Sequence, residues 1–143
     1  MRVLTREKLL AENRLPPDDA GAAPRRTILV VDDEEMVRTV AAELLRHLGY
    51  DVDMASSGEE AVARIKDGAR PDCVLLDIVM PGIGGAEALR QIHALDPEIR
   101  VLISSGFTDR ISAESLADEG ASAIISKPYR METLGTRLKE LLG

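Results

Sequence analysis

A chain of 143 residues, 45% hydrophobic and 30% charged, is long enough for one compact domain with a buried core and too short for two. A net charge of −7 and an aromatic content of 2% argue against a nucleic-acid face, which needs clustered cations or stacking rings. The single cysteine, Cys73, excludes an internal disulfide and a cysteine-based metal site, and no run approaches the roughly 18 apolar residues of a membrane span.

Residues 1–26 start with a short helix-like stretch carrying Val3, Leu4, Leu9 and Leu10, broken by Pro16-Pro17 and followed by small residues, so they read as an N-terminal extension or linker. Arg2, Arg6 and Lys8 are present there without the apolar region of a secretory signal, and the expected location is the cytoplasm. The domain proper is expected over 27–143. From Thr27 a strand-like and a helix-like segment alternate five times, with strands at Thr27–Val31, Tyr50–Met54, Asp72–Leu76, Ile99–Ser104 and Ala123–Ser126.

After the first strand, Val37, Val40, Ala41, Leu44, Leu45 and Leu48 follow the spacing of one apolar helix face. The second strand, Asp51-Val52-Asp53-Met54, alternates and belongs at a sheet edge. The first, third and fourth contain continuous apolar runs, as expected of strands covered on both faces. Cys73 lies in such a run and reads as a core thiol. A fourth helical segment near Ser112–Asp118 has Leu116 as its main large apolar residue, and the last helix repeats the apolar pattern with Leu134, Leu138 and Leu141. Strand–helix alternation with short connections predicts an α/β, doubly wound (βα)5 fold of the flavodoxin-like type, with a five-stranded parallel sheet in order 2-1-3-4-5. Chemistry in such a sheet is expected at the carboxyl ends of the strands, beside the switch point between the first and third.

Those ends carry a distinctive set. The first strand runs into Asp32-Asp33, the third ends in Asp77, the fourth in Ser104-Ser105-Gly106 and the fifth in Lys127-Pro128. Carboxylates brought this close repel one another and need protons or a cation. All-oxygen ligands without His or Cys suit a hard divalent ion, Mg²⁺ or Mn²⁺. With Asp77 as nucleophile, the metal and Lys127 neutralising phosphoryl oxygens, Ser105 donating a hydrogen bond and the N–H groups of Ile78 and Gly106 adding donors, the set makes a phosphoryl site. Taken singly, an acidic pair before a helix is often an N-cap, an Asp before Met-Pro-Gly a loop start, and Lys-Pro an ordinary turn. Their joint placement at successive strand ends argues against coincidence. His47 and His93 lie on helical patterns away from this edge and read as surface residues.

The stretches ILVVDDEEMVR, VLLDIVMPGIGG, VLISSG and IISKPY resemble the receiver domains of bacterial two-component systems, over about residues 26–143. The resemblance implies that Asp77 is the phosphoacceptor, with Asp33 a direct metal ligand, Asp32 acting largely through water and the Val79 carbonyl completing the protein ligands. It makes Ser105 the switch hydroxyl and Lys127 the conserved-type lysine, and implies a cis Lys127–Pro128 bond. The implied partner is a histidine kinase or a histidine phosphotransfer protein. The implied response is a shift of the face formed by the fourth helical segment, the fifth strand and the last helix, in a monomer or weak dimer. The pairing of SSGF with KPY is similar to receivers attached to hybrid histidine kinases, although a stand-alone receiver fits equally.

Ile124 stands where many members have an aromatic residue that reports the switch, so that part of the mechanism is not carried over. Val79 and Phe107, both apolar, flank the path of attacking water and predict slow self-dephosphorylation. Three rivals fit less well. An aspartyl-phosphate phosphatase would need an acid at Val79, an interaction module without phosphorylation would have shed site residues, and a dinucleotide-binding module would need a glycine-rich turn where Asp32-Asp33-Glu34-Glu35 stands.

Overall fold

The computed structural model describes residues 25–106 and 115–143. Five strands, β1 (Thr27–Val31), β2 (Asp51–Ala55), β3 (Cys73–Asp77), β4 (Arg100–Ser105) and β5 (Ala123–Ser126), form one parallel sheet in the order β2-β1-β3-β4-β5. Among the described residues four α-helices accompany them: α1 (Glu35–His47), α2 (Gly58–Lys66), α3 (Gly84–Leu95) and α4 (Met131–Leu142). A 3-10 turn, Leu116–Glu119, precedes β5. The expected doubly wound architecture and strand order are therefore those observed.

Strand alternation divides the core in two. Leu29, Val31, Val74, Leu76, Val101 and Ile103 turn to one face and pack with Ala61, Val62 and Ile65 of α2 and Ala88, Leu89 and Ile92 of α3. Ile28, Val30, Cys73, Leu75, Leu102 and Ile125 turn to the other and pack with Ala41 and Leu45 of α1 and Leu134 and Leu138 of α4. The strands at the centre, β1, β3 and β4, are buried nearly throughout, whereas β2 at the edge alternates exposed aspartates with half-buried Val52 and Met54. Burial pushes the Cys73 thiol up to about 12, as expected for a core cysteine.

Several boundaries differ from the sequence expectation. Strands β2, β3 and β4 each begin and end one residue later than the apolar runs suggest, because pairing continues to Ala55 beside Val31 and into polar Asp77 and Ser105. Val40, expected on the buried stripe of α1, is exposed, and Ala42 is buried in its place. The buried face of the helix centres on Ala41 and Leu45, and Val40, about 100° round the helix from Ala41, falls outside it. The helix expected near Ser112–Asp118 falls partly outside the described residues, and Phe107 wholly so; within them Ser115 is α-helical and Leu116–Glu119 form the 3-10 turn, with Leu116 buried. Residues 1–24 of the expected N-terminal extension lie outside as well. Among the described residues no helix is long and apolar enough to cross a membrane.

Two glycines allow close packing under the carboxyl edge. Gly58, the first residue of α2, sits where a Cβ would press on Ile83 and Ala88, so α2 and α3 can touch. Gly85, in the first turn of α3, donates its N–H to the Ile78 carbonyl at 3.1 Å and brings the helix start against the chain leaving β3.

Candidate functional site

The carboxyl ends of β1 and β3 are adjacent, and the acids they carry meet. Carboxylate oxygens of Asp32, Asp33 and Asp77 all lie within 4.8 Å of one another, with Asp32 and Asp77 buried and Asp33 exposed. Backbone geometry holds Asp32 in place. Its Oδ1 accepts the Glu34 N–H at 2.9 Å, a turn that starts α1, and its carbonyl accepts from Arg38 Nη1 at 2.7 Å. Arg38 was not singled out in the sequence; its only signal there is a cation one turn into the helix that follows an acidic pair.

Lys127 arrives from the end of β5, across a cis Lys127–Pro128 bond. Its Nζ stands 3.1 Å from Asp32 Oδ2 and 3.2 Å from Asp77 Oδ2, bridging the two buried acids. The approach to Asp32 is not along a hydrogen-bonding direction, so that buried oxygen has no hydrogen-bond donor. Burial works against the ammonium, but the charges of Asp77 and Asp32 outweigh it and hold Lys127 above the ordinary lysine range. Asp77 is pushed the other way for an acid. Burial and the neighbouring Asp32 charge raise it to about 6, against the pull of Lys127. A cation held between Asp77 and its acidic neighbours would favour the ionised form that burial and the Asp32 charge disfavour.

The β4 end supplies hydroxyls. Ser105 is fully buried, and its Oγ has no hydrogen-bond partner. Its carbonyl accepts the Lys127 N–H at 2.9 Å, which ties the lysine's backbone to the serine's. Ser104, one residue earlier and likewise buried, pairs in register with Asp77 and accepts the Tyr129 hydroxyl at 2.7 Å. Neither that pair nor Gly85 was picked out from the sequence, because a hydroxyl contact 25 residues apart leaves no local pattern.

Of the two expected backbone donors, Gly106 is half-buried directly after Ser105. The Ile78 N–H is engaged elsewhere. It donates to the Ser104 carbonyl at 3.1 Å, since β3–β4 pairing runs one residue further than the apolar pattern implies. The N–H that turns back toward the acid is that of Val79, 3.4 Å from Asp77 Oδ1. Val79 itself is exposed, and its side chain covers no core. Ile124 is half-buried against the α2–α3 side of the sheet. His47 is exposed, as expected, but His93 is not a plain surface residue: its Nε2 lies 3.0 Å from the Ile99 carbonyl, to which it donates.

Residues 28–139 match the family model of the response regulator receiver domain. The chain belongs to that family. This receiver is 33% identical over 126 residues to the sensor kinase CckA of Brucella abortus, an alignment spanning 87% of this chain and 13% of that protein. It is 35% identical over 115 residues to the response regulator MprA of a Mycobacterium species, spanning 80% of this chain and 50% of that one. The chain thus spans about half the length of the curated response regulators it matches, and far less of the kinase. Its backbone is similar to the crystal structure of a receiver domain protein from Clostridium thermocellum, with a TM-score of 0.77 and 30% identity over 82% of this chain and 94% of the other. The fold and family are those of receivers in two-component signalling, generally not catalytic enzymes.

Proposed function

We propose that this receiver accepts a phosphoryl group on Asp77 from a phosphohistidine of a kinase or histidine phosphotransfer protein, in the cytoplasm, with Mg²⁺ or Mn²⁺ bound beside it. The observation that carries the proposal is the convergence of three carboxylates, one bridging lysine and one partnerless buried hydroxyl on a single sheet edge.

The donor set suits a hard divalent ion. It is all oxygen, and Asp32 Oδ2 is buried without a hydrogen-bond donor. Asp33 and Asp77 would hold the ion directly, with the Val79 carbonyl as the third protein ligand and Asp32 acting through water. When bound, it supplies positive charge that keeps Asp77 ionised and offsets charge on the incoming phosphoryl oxygens.

The protein's own residues do the rest. An Asp77 carboxylate oxygen attacks phosphorus as the bond from phosphorus to the donor imidazole nitrogen breaks, and the electron pair leaves with the imidazole. Lys127, already 3.2 Å from Asp77, offers its ammonium to one phosphoryl oxygen. The Ser105 hydroxyl donates to another, with the N–H groups of Val79, which turns toward Asp77, and Gly106 as further donors. The added charge, roughly −1.5 to −2, draws Ser105 and the chain after it toward the site. That shift would alter the face built from β5, α4 and the segment before β5. Apolar Val79 gives no help to an attacking water, which favours a long-lived phosphoryl group. Incubation with acetyl phosphate and Mg²⁺ followed by intact-mass measurement tests the reading. A gain of one phosphoryl group, absent in Asp77→Asn, is expected, and no gain with any donor would overturn it.

A further inference from the structure

The buried hydroxyl pair Ser104–Tyr129 stands outside the phosphoryl chemistry, yet it occupies the junction between that chemistry and α4. Tyr129 Oη donates to Ser104 Oγ at 2.7 Å, an ordinary well-formed O–H···O distance, with Ser104 fully enclosed. Serine is an unexpected residue in the middle of a sheet, and the phenol supplies the partner its burial demands.

The backbone around Ser104 is fastened to the site on both sides. Ser104 pairs in register with Asp77 on β3 and with Ile125 on β5, and its carbonyl accepts the Ile78 N–H. The next residue is Ser105, whose partnerless hydroxyl is the one drawn toward a phosphoryl group. Any displacement of Ser105 is passed through one peptide unit to Ser104. Because side chains alternate along a strand, Ser104 faces the α1–α4 side of the sheet while Ser105 begins on the other.

Tyr129 is equally well placed at the far end. It lies two residues beyond Lys127 and two before the first residue of α4, and its ring packs against the cluster containing Leu134 and Leu138 of that helix. The same ring helps line an apolar groove with Met36, Val37, Val40 and Pro128. Ile124 sits against the opposite face and has no polar atom with which to follow a moving hydroxyl.

We propose that Tyr129 is a positioning residue, and that its hydrogen bond to Ser104 ties the Ser105 end of β4 to the start of α4 so that loading of Asp77 is transmitted there. The inference rests on the phosphorylation reading above and adds a route to it.

The test uses the full chain, isotopically labelled, with Mg²⁺ and beryllofluoride as the phosphoryl mimic, followed by backbone amide shifts. In the unsubstituted protein, shifts are expected at Val79, Ser105 and Gly106 and also at Met131–Gly135. Tyr129→Phe and Ser104→Ala should each keep the first set and reduce the second at least threefold, the double variant should lose no more than either single one, and Ser104→Thr should retain the response. A merely structural hydroxyl would not separate the two sets. An α4 response in Tyr129→Phe equal to that of the unsubstituted protein overturns the proposal while leaving the phosphorylation reading intact. Absence of shifts at Ser105 and Gly106 in the unsubstituted protein overturns both.

Discussion

Gly85 lies so close to Asp77 that a Cβ on it would stand 2.5 Å from the Asp77 carbonyl oxygen and 2.6 Å from Ile78 Cα. The contact is backbone against backbone, so no side-chain rotation relieves it. Gly85→Ala must push α3 away from the end of β3 or displace Asp77. We expect a loss of about 3 kcal/mol in stability, at the upper end for overpacking, and a matching fall in acetyl phosphate labelling. Urea unfolding of the two proteins, with labelling by mass, measures both effects.

The raised pKa of Asp77, about 6 against an ordinary 3.8, gives a pH signature in metal-free buffer. The folded state binds a proton more tightly than the unfolded one between those values. Stability therefore falls as pH rises through that window, and the penalty is fully present above about 6. Asp77→Asn removes it. At pH 7.5 the variant should be more stable than the parent by up to about 3 kcal/mol, from roughly 1.4 kcal/mol per pKa unit, and the difference should close as pH falls toward 4. Saturating Mg²⁺ should narrow the gap by stabilising the parent. Denaturation curves at two pH values in EDTA, then in Mg²⁺, check each part.

Lys127→Met keeps most of the side-chain length and removes the charge that bridges the two buried acids. Because the Lys127 pKa is raised in the fold, its stabilising effect is fully present below the ordinary lysine pKa and is lost only as pH rises through the higher folded value. At pH 7.5 the variant should lose about 3 kcal/mol, the scale for breaking a buried pair. Removing an electrostatic donor at a reacting centre costs about 100-fold in rate or more, so labelling should fall by that order even with Mg²⁺ present. Equal labelling rates would remove Lys127 from the phosphoryl site.

Much of this was legible in the chain. The period of the apolar runs separates helices from strands, the alternating Asp51–Met54 marks an edge, and acids, hydroxyl and lysine fall at strand ends because the fold brings those ends together. What could not be read depends on pairing or on contact at a distance. Whether the Ile78 N–H is free turns on how far β3 and β4 stay paired, which neither strand records alone. Gly85 looks like a turn glycine until α3 is seen against Asp77. Val40 has the spacing of a buried residue, and only the burial of Ala41, Ala42 and Leu45 shows that the core-facing side of the helix is turned away from it. The Ser104–Tyr129 bond joins residues with no sequence relation, and the resemblance to receivers directs attention to Ser105 instead.

Val79, exposed and two residues beyond Asp77, can be changed with little effect on folding. Val79→Asn places a polar amide where a water would approach the phosphoryl group. Dephosphorylation should quicken by some fraction of the ~100-fold that assisted proton transfer commonly provides. The decay of the labelled form, followed by mass after removal of acetyl phosphate, gives the comparison. An unaltered lifetime would show that side-chain polarity at this position does not govern water access.

Cys73 gives the molecule a gauge of its own mechanical integrity. It is the single thiol in the chain, it is fully enclosed on β3 between β1 and β4, and burial keeps it protonated, with a pKa of about 12. A thiol reagent can react only in molecules whose central strands have parted, so its rate counts those openings rather than fluctuations of the surface. Metal, phosphoryl load and each substitution above can thus be ranked by one chemical clock already present in the unaltered protein.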